Sequence, residues 1–137
     1  MNVEKQGPDE CALDAFTTAY VECALWSSTD GDATPLDDST YGRDCLDAAT
    51  LCEMIADCAA FQLEHGAELA EQDNPSRAGH DLWLTRNRHG AGFWDGDWPE
   101  AIGRRLTDAA HAYGEYTLYV GDDGMIYGSQ ATERTIP

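Results

Sequence analysis

The apolar residues of this chain change their spacing once, near Gly79, and that change limits the folds open to it. Before it they recur at steps of three and four. Leu13, Phe16, Tyr20 and Cys23 form one stripe, and Leu51, Met54, Ile55, Cys58, Phe61 and Leu69 form a second. Such spacing puts side chains on one face of an α-helix. The first helix is expected over about 9–26, started by Pro8 and Asp9, and the second over about 46–70. Between them SSTDGDATPLDDSTY, polar and carrying Gly31 and Pro35, reads as a long loop. QDNPSRAG ends the second helix.

After Gly79 the apolar residues come in short runs separated by turn sequences. HDLWLTR (80–86) reads as a strand, the turn-rich NRHGAG follows, and Phe93 and Trp94 start a hairpin partner. Trp98-Pro99-Glu100 opens a third helix bearing Ile102, Leu106, Ala109, Ala110 and Tyr113, closed by Gly114. YTLYV (116–120), the turn Asp122-Asp123-Gly124 and Met125-Ile126-Tyr127 form a second hairpin. The expected fold class is α+β: two N-terminal helices, then a β-hairpin, a helix and a second β-hairpin, forming a small antiparallel sheet with helices on one side. We expect a single domain over 1–137, with an acidic helical half (9–72), a β-β-α-β-β half (79–128) and ragged termini. Hydrophobic residues make up 42% of the chain, enough for a core.

Charge is the compositional outlier. Eight basic residues against 26 acidic ones give a net charge of −18. Residues 1–75 hold 17 acidic residues against Lys5 and Arg43, a net of −15, while 76–137 hold 9 against 6, a net of −3. A surface of this sign argues against direct binding of nucleic acid or of anionic membranes. MNVEKQGPDE has no apolar h-region and no run has the length of a membrane span, so neither a secretory signal nor a membrane segment is expected. Adaptation to high salt would spread the acid evenly, so the asymmetry favours a functional acidic face.

The second helix concentrates that face. Glu53, Asp57, Glu64, Glu68 and Glu71 are spaced by 4, 7, 4 and 3 residues. At about 100° and about 1.5 Å per residue they occupy an arc of roughly 60° and a length of roughly 27 Å. Like charges at i,i+4 repel, so the row gives no local stability. It could instead stand in for a phosphate backbone and occupy a basic nucleic-acid groove; the plainer reading is a solvated helix face of good helix formers. Glu10, Asp14, Glu22, Asp30, Asp32, Asp37 and Asp38 add to the same half. The expected partner-binding residues are the row together with Asp30, Asp32, Asp37 and Asp38.

Other chemistry is poorly supported. Cys11, Cys23, Cys45, Cys52 and Cys58 form no CxxC pair, are odd in number and lie in helical stretches, which reads as reduced, partly buried thiols of a reducing compartment. Asp30 and Asp32 suit the first and third ligand positions of a calcium loop, but Pro35 replaces its glycine and Tyr41 its bidentate glutamate. No metal and no cofactor are therefore expected. In GHDLWLTRNRHGAGFWDGD, His80 and Asp81 could be base and orienter, Arg86 and Arg88 anion clamps, and Asp95 an acid. On a strand, however, His80 and Asp81 face opposite sides, and His89 sits among glycines, so no catalytic residue is assigned. Trp83, Phe93, Trp94 and Trp98 read as core and sheet packing.

The stretches AYVECALWSSTD, PLDD, AGHDLWLTRNRHGAGFWD and GEYTLYVGDDGMIYG resemble a family of small, uncharacterised accessory proteins carried by bacteriophages and plasmids. The resemblance runs from about Ala19 to Gly128, with Arg88 where the family usually has glycine. It implies an accessory protein of a mobile element acting in the cytoplasm of the bacterial host. Combined with the charge layout, it leads us to expect a non-enzymatic inhibitor, a DNA mimic of anti-restriction or anti-CRISPR type, whose partner is a basic host nucleic-acid-binding protein. The alternatives are a non-catalytic interaction or structural module, and a small enzyme using the His80/His89 region.

Overall fold

The computed structural model describes residues 13–30, 34–37, 42–88, 92–93 and 98–130. Helix α1 is Ala15–Ser27 and α2 is Ala48–Ala70. Each starts on an aspartate that accepts from a backbone N–H of its first turn, Asp14 from Thr17 and Asp47 from Thr50. The expected start of the first helix at Pro8 and Asp9 lies outside the described residues. A 3-10 turn, Arg43–Cys45, leads into α2.

Helix α3, Pro75–Arg86, corrects the sequence reading: HDLWLTR is helical, not a strand. The start signal lies in the segment taken as a breaker. Asn74 caps the helix through its Oδ1, which accepts from Arg77 N at 3.1 Å, and Pro75 takes the first turn, where its missing N–H is no loss. The stripe that would betray the helix is absent because α3 is covered on nearly every side. Ala78, Gly79, Asp81, Leu82, Trp83, Leu84, Thr85 and Arg86 are all buried, so its sequence has neither helical nor strand periodicity.

The expected first hairpin therefore does not exist. Phe93 is a buried turn residue whose N–H donates to Thr85 Oγ1 at 3.0 Å, and Trp94 lies outside the described residues. Helix α4, Glu100–Ala112, begins after Pro99 and gives way at Gly114, in the left-handed region at φ 79°. The sheet has two strands, β1 Tyr116–Val120 and β2 Ile126–Gln130, antiparallel with Tyr116 opposite Gln130 and Val120 opposite Ile126. The fold is α+β, but the described residues form four helices and one C-terminal hairpin in place of a helix-covered sheet built from two hairpins.

That hairpin is a ribbon laid beside the first turns of α2. Asp47 N donates to Ile126 O at 2.8 Å and Gly128 N donates to Thr50 Oγ1 at 3.0 Å. Tyr116, Leu118 and Ile126 face inward, while Thr117 and Tyr119 face water, the alternation of a half-buried ribbon. One core joins the elements: Tyr20 meets Trp83 edge-on at 5.4 Å, and Phe61 touches Phe16, Phe93 and Tyr113 at 5.8–6.3 Å. Trp83, Phe93 and Trp98 are buried as expected; Trp83 meets Tyr20 of α1 and Tyr116 of β1 edge-on, and Phe93 meets Trp98 and Phe61.

The end of α3 carries a local conflict. Arg88 follows the C-cap residue Asn87 with φ 59°, the left-handed conformation that glycine adopts without penalty. Arg88 is exposed, so little packing is at stake. Arg88→Gly should raise stability by about 1 kcal/mol, seen as a higher thermal midpoint; a lower midpoint would show that the arginine side chain contributes more than its backbone loses.

Candidate functional site

The acidic row of α2 is divided by the fold. Asp57 is in the core, 4% exposed, and pairs with Arg86, itself 1% exposed, at 2.9 Å. Glu68 is half-buried and receives Arg105 Nε at 3.3 Å from α4. Glu53 accepts from the Tyr116 hydroxyl at 2.6 Å, which together with burial pushes the tyrosine pKa up. Glu64 and Glu71 face water. The helix also bends at His65, where φ −123° and ψ 24° leave helical values, so Glu68 and Glu71 do not continue a straight line from Glu53 and Glu64. The residues that point outward are therefore fewer and less regular than a phosphate-like row requires.

Arg86, weighed from sequence as an anion clamp, is instead the most heavily bonded side chain of the interior. Its Nε donates to Gly114 O at 2.8 Å, Nη1 to Asp57 Oδ2 and the Tyr20 hydroxyl at 2.9 Å each, and Nη2 to Tyr113 O at 3.1 Å. The guanidinium carbon lies 5.6 Å from the Tyr113 ring centre and 5.3 Å from that of Tyr116. Burial alone would lower its pKa, but Tyr20 and Asp57 outweigh that and raise it, so the charge persists. The network ties α1, α2, α3, the α4–β1 link and β1 together.

A groove of about 950 Å³ runs between α1 and α3. His80 and Asp81 both line it, which corrects the expectation that they face opposite sides: one residue apart on a helix, they differ by about 100°. Asp81 is not turned toward His80 as an orienter. Its Oδ2 accepts from Trp98 Nε1 at 2.8 Å and from Arg77 Nε at 3.3 Å. His80 instead lies against Trp26, ring centres 6.4 Å apart. His89 and Asp95 are outside the described residues. Asp37 lines the same groove, whereas Asp30 closes its loop by accepting from Thr34 N at 2.9 Å. Asp32 and Asp38 lie outside the described residues.

Among the described residues the cysteines are free thiols. Cys23 and Cys58 are buried, and burial pushes the Cys23 pKa up to about 12 and raises that of Cys58 as well, which keeps both protonated near neutral pH. Cys52 is exposed on α2 and Cys45 sits half-buried in the 3-10 turn; Cys11 is outside the described residues. Among the described residues no three His, Cys, Asp or Glu side chains converge as metal ligands, and no helix is long and apolar enough to cross a membrane.

The groove is not visible in the sequence, because Trp26 and Glu22 stand on α1 and His80 and Arg77 on α3, whose sequence carries breaker and strand signals. Sequence reasoning also placed Asp57 on the surface, although a signal was present. At about 100° per residue, Asp57 and Glu68 stand on the side of the row nearest the apolar stripe, within about 40° of Phe61. No protein-family model matches this chain, and comparison with curated proteins and with solved structures finds no match to it.

Proposed function

We propose that this chain is an acidic accessory protein of a mobile element that inhibits a basic, nucleic-acid-binding defence protein of the bacterial host, of restriction or CRISPR type, by covering its phosphate-binding surface. The observation that carries this reading is where the positive charge goes. Arg77, Arg86, Arg104 and Arg105 each pair with a carboxylate of the chain itself, Asp81, Asp57, Glu100 and Glu68. Carboxylates such as Glu22, Asp37, Glu64 and Glu71 remain exposed, so among the described residues the side chains that face water carry a negative excess. A surface of this kind steers encounter with a basic partner and repels nucleic acid. The division of the α2 row means that the acidity acts as a field over several elements and not as a ruler of phosphate spacing.

The test is capture of the partner from host lysate, followed by binding measurements with the purified pair. Affinity should fall steeply between about 50 and 200 mM salt, and duplex DNA should compete. Glu64→Gln combined with Glu71→Gln should weaken binding by about three- to tenfold and flatten the salt dependence, with stability retained because both side chains are exposed. Binding that ignores salt and DNA would leave the chain an interaction module of another kind.

A further inference from the structure

The α1–α3 groove has a lining suited to one kind of occupant. Cys23, Asp81 and Leu84 are its buried base, while Glu22, Asp37 and Trp26 stand exposed at its edge. Its arginine, Arg77, is already held by Asp81, so the carboxylates of Glu22 and Asp37 set the sign of the opening. Trp26 is 61% exposed, a large aromatic side chain left in water in the same groove as those carboxylates and one helical turn from Glu22. An indole face attracts cations through its quadrupole, and nearby carboxylates strengthen the attraction.

We propose that this groove binds an arginine side chain of the partner, its guanidinium laid on the Trp26 indole and paired with Glu22 and Asp37. The inference rests on the reading of a basic partner given above and names the contact that would give it specificity. Arginine fits better than lysine because its guanidinium is planar, weakly hydrated and able to stack and pair at once. The molecule already uses this chemistry in its interior, where Arg86 is flanked by two tyrosine rings and bonded to Asp57. His80 lies beside Trp26 in the same groove, ring centres 6.4 Å apart.

The probe is a synthetic arginine hexapeptide, with the lysine hexapeptide as comparison, titrated into the full chain by calorimetry and by NMR of the indole N–H resonances. The arginine peptide should bind several-fold tighter than the lysine peptide and shift the Trp26 indole resonance. Trp26→Ala should weaken arginine binding about tenfold and remove the preference over lysine, while Trp26→Phe keeps part of it. Glu22→Gln with Asp37→Asn should weaken both peptides. Trp26 is exposed, so thermal midpoints should hold, and the phenylalanine variant guards against a loss of folding in the alanine one. If the arginine peptide binds the wild type and Trp26→Ala equally, the groove is not the site and diffuse acidity alone attracts basic partners. If it does not bind the wild type at all, the groove and the basic-partner reading both fall.

Discussion

Arg86→Met should destabilise the protein by about 3–5 kcal/mol, the largest effect expected of any single substitution here. The arginine is 1% exposed, and its removal takes the guanidinium away from the carboxylate of Asp57, 4% exposed in the core. Tyr20 Oη and Gly114 O lose their donor in the same step, whereas Tyr113 O keeps a second one from Gln130 Nε2 at 2.9 Å. Methionine is chosen because it fills most of the arginine stem's space, so the loss reports charge and hydrogen bonding more than a cavity. A second substitution, Asp57→Leu, should recover a large part of the loss, since it takes away the buried carboxylate that the arginine paired with. Urea unfolding of the two single variants and the pair measures this as a double-mutant cycle. A loss below about 1 kcal/mol in Arg86→Met would mean that water or rearranged neighbours satisfy Asp57.

The second large effect has the opposite sign from what local reasoning gives. Gly79 sits inside α3, where alanine is favoured over glycine by about 1 kcal/mol. A Cβ at this position would lie 1.9 Å from Phe16 O and 2.8 Å from Phe16 C on α1. Those are backbone atoms that cannot swing away, so α1 and α3 would have to separate along their whole contact. Gly79→Ala should therefore cost about 3 kcal/mol net, at the upper end of overpacking penalties. Gly66 on α2 supplies the control: a Cβ there meets nothing within 4 Å. Gly66→Ala should be neutral or stabilising by up to about 1 kcal/mol. If thermal or urea midpoints rise for both variants, the close approach of α1 and α3 is not as described.

The two predictions show which parts of the molecule were legible before the fold was known. The 3/4 spacing of the apolar residues of α1 and α2, the Pro99 start of α4 and the Asp-Gly turn of the C-terminal hairpin are local signals, set within about one helical turn or one hairpin, whereas the caps Asp14 and Asp47 are local signals that the sequence reading missed. Helix α3 was not legible, because Asp81 to Arg86 are buried without a break and leave no apolar stripe against a polar face. Its Asn74-Pro75 start is a signal with two meanings: the same pair that ends one helix opens the next four residues later.

For the candidate site the division runs along the same line. Acidity, its excess in the first half and the scarcity of cations to balance it follow from the sequence alone, because charge is counted residue by residue. Which carboxylates face water is a property of pairs. Asp57 meets Arg86 across 29 residues and Glu68 meets Arg105 across 37, so the helical angle sets Asp57 nearer the apolar stripe than Glu64 but no local window names the partner that draws it inside. Trp26 shows the reverse case: an indole near the end of α1 stands 61% exposed at the edge of the α1–α3 groove, beside His80 of α3. The local chain determined the caps, the helical stripes, the last hairpin and the sign of the surface, since each arises from neighbours in sequence. Tertiary packing decided that α3 is a helix, that Asp57 is structural and that a groove opens beside Trp26, since each depends on contacts between segments far apart in the chain.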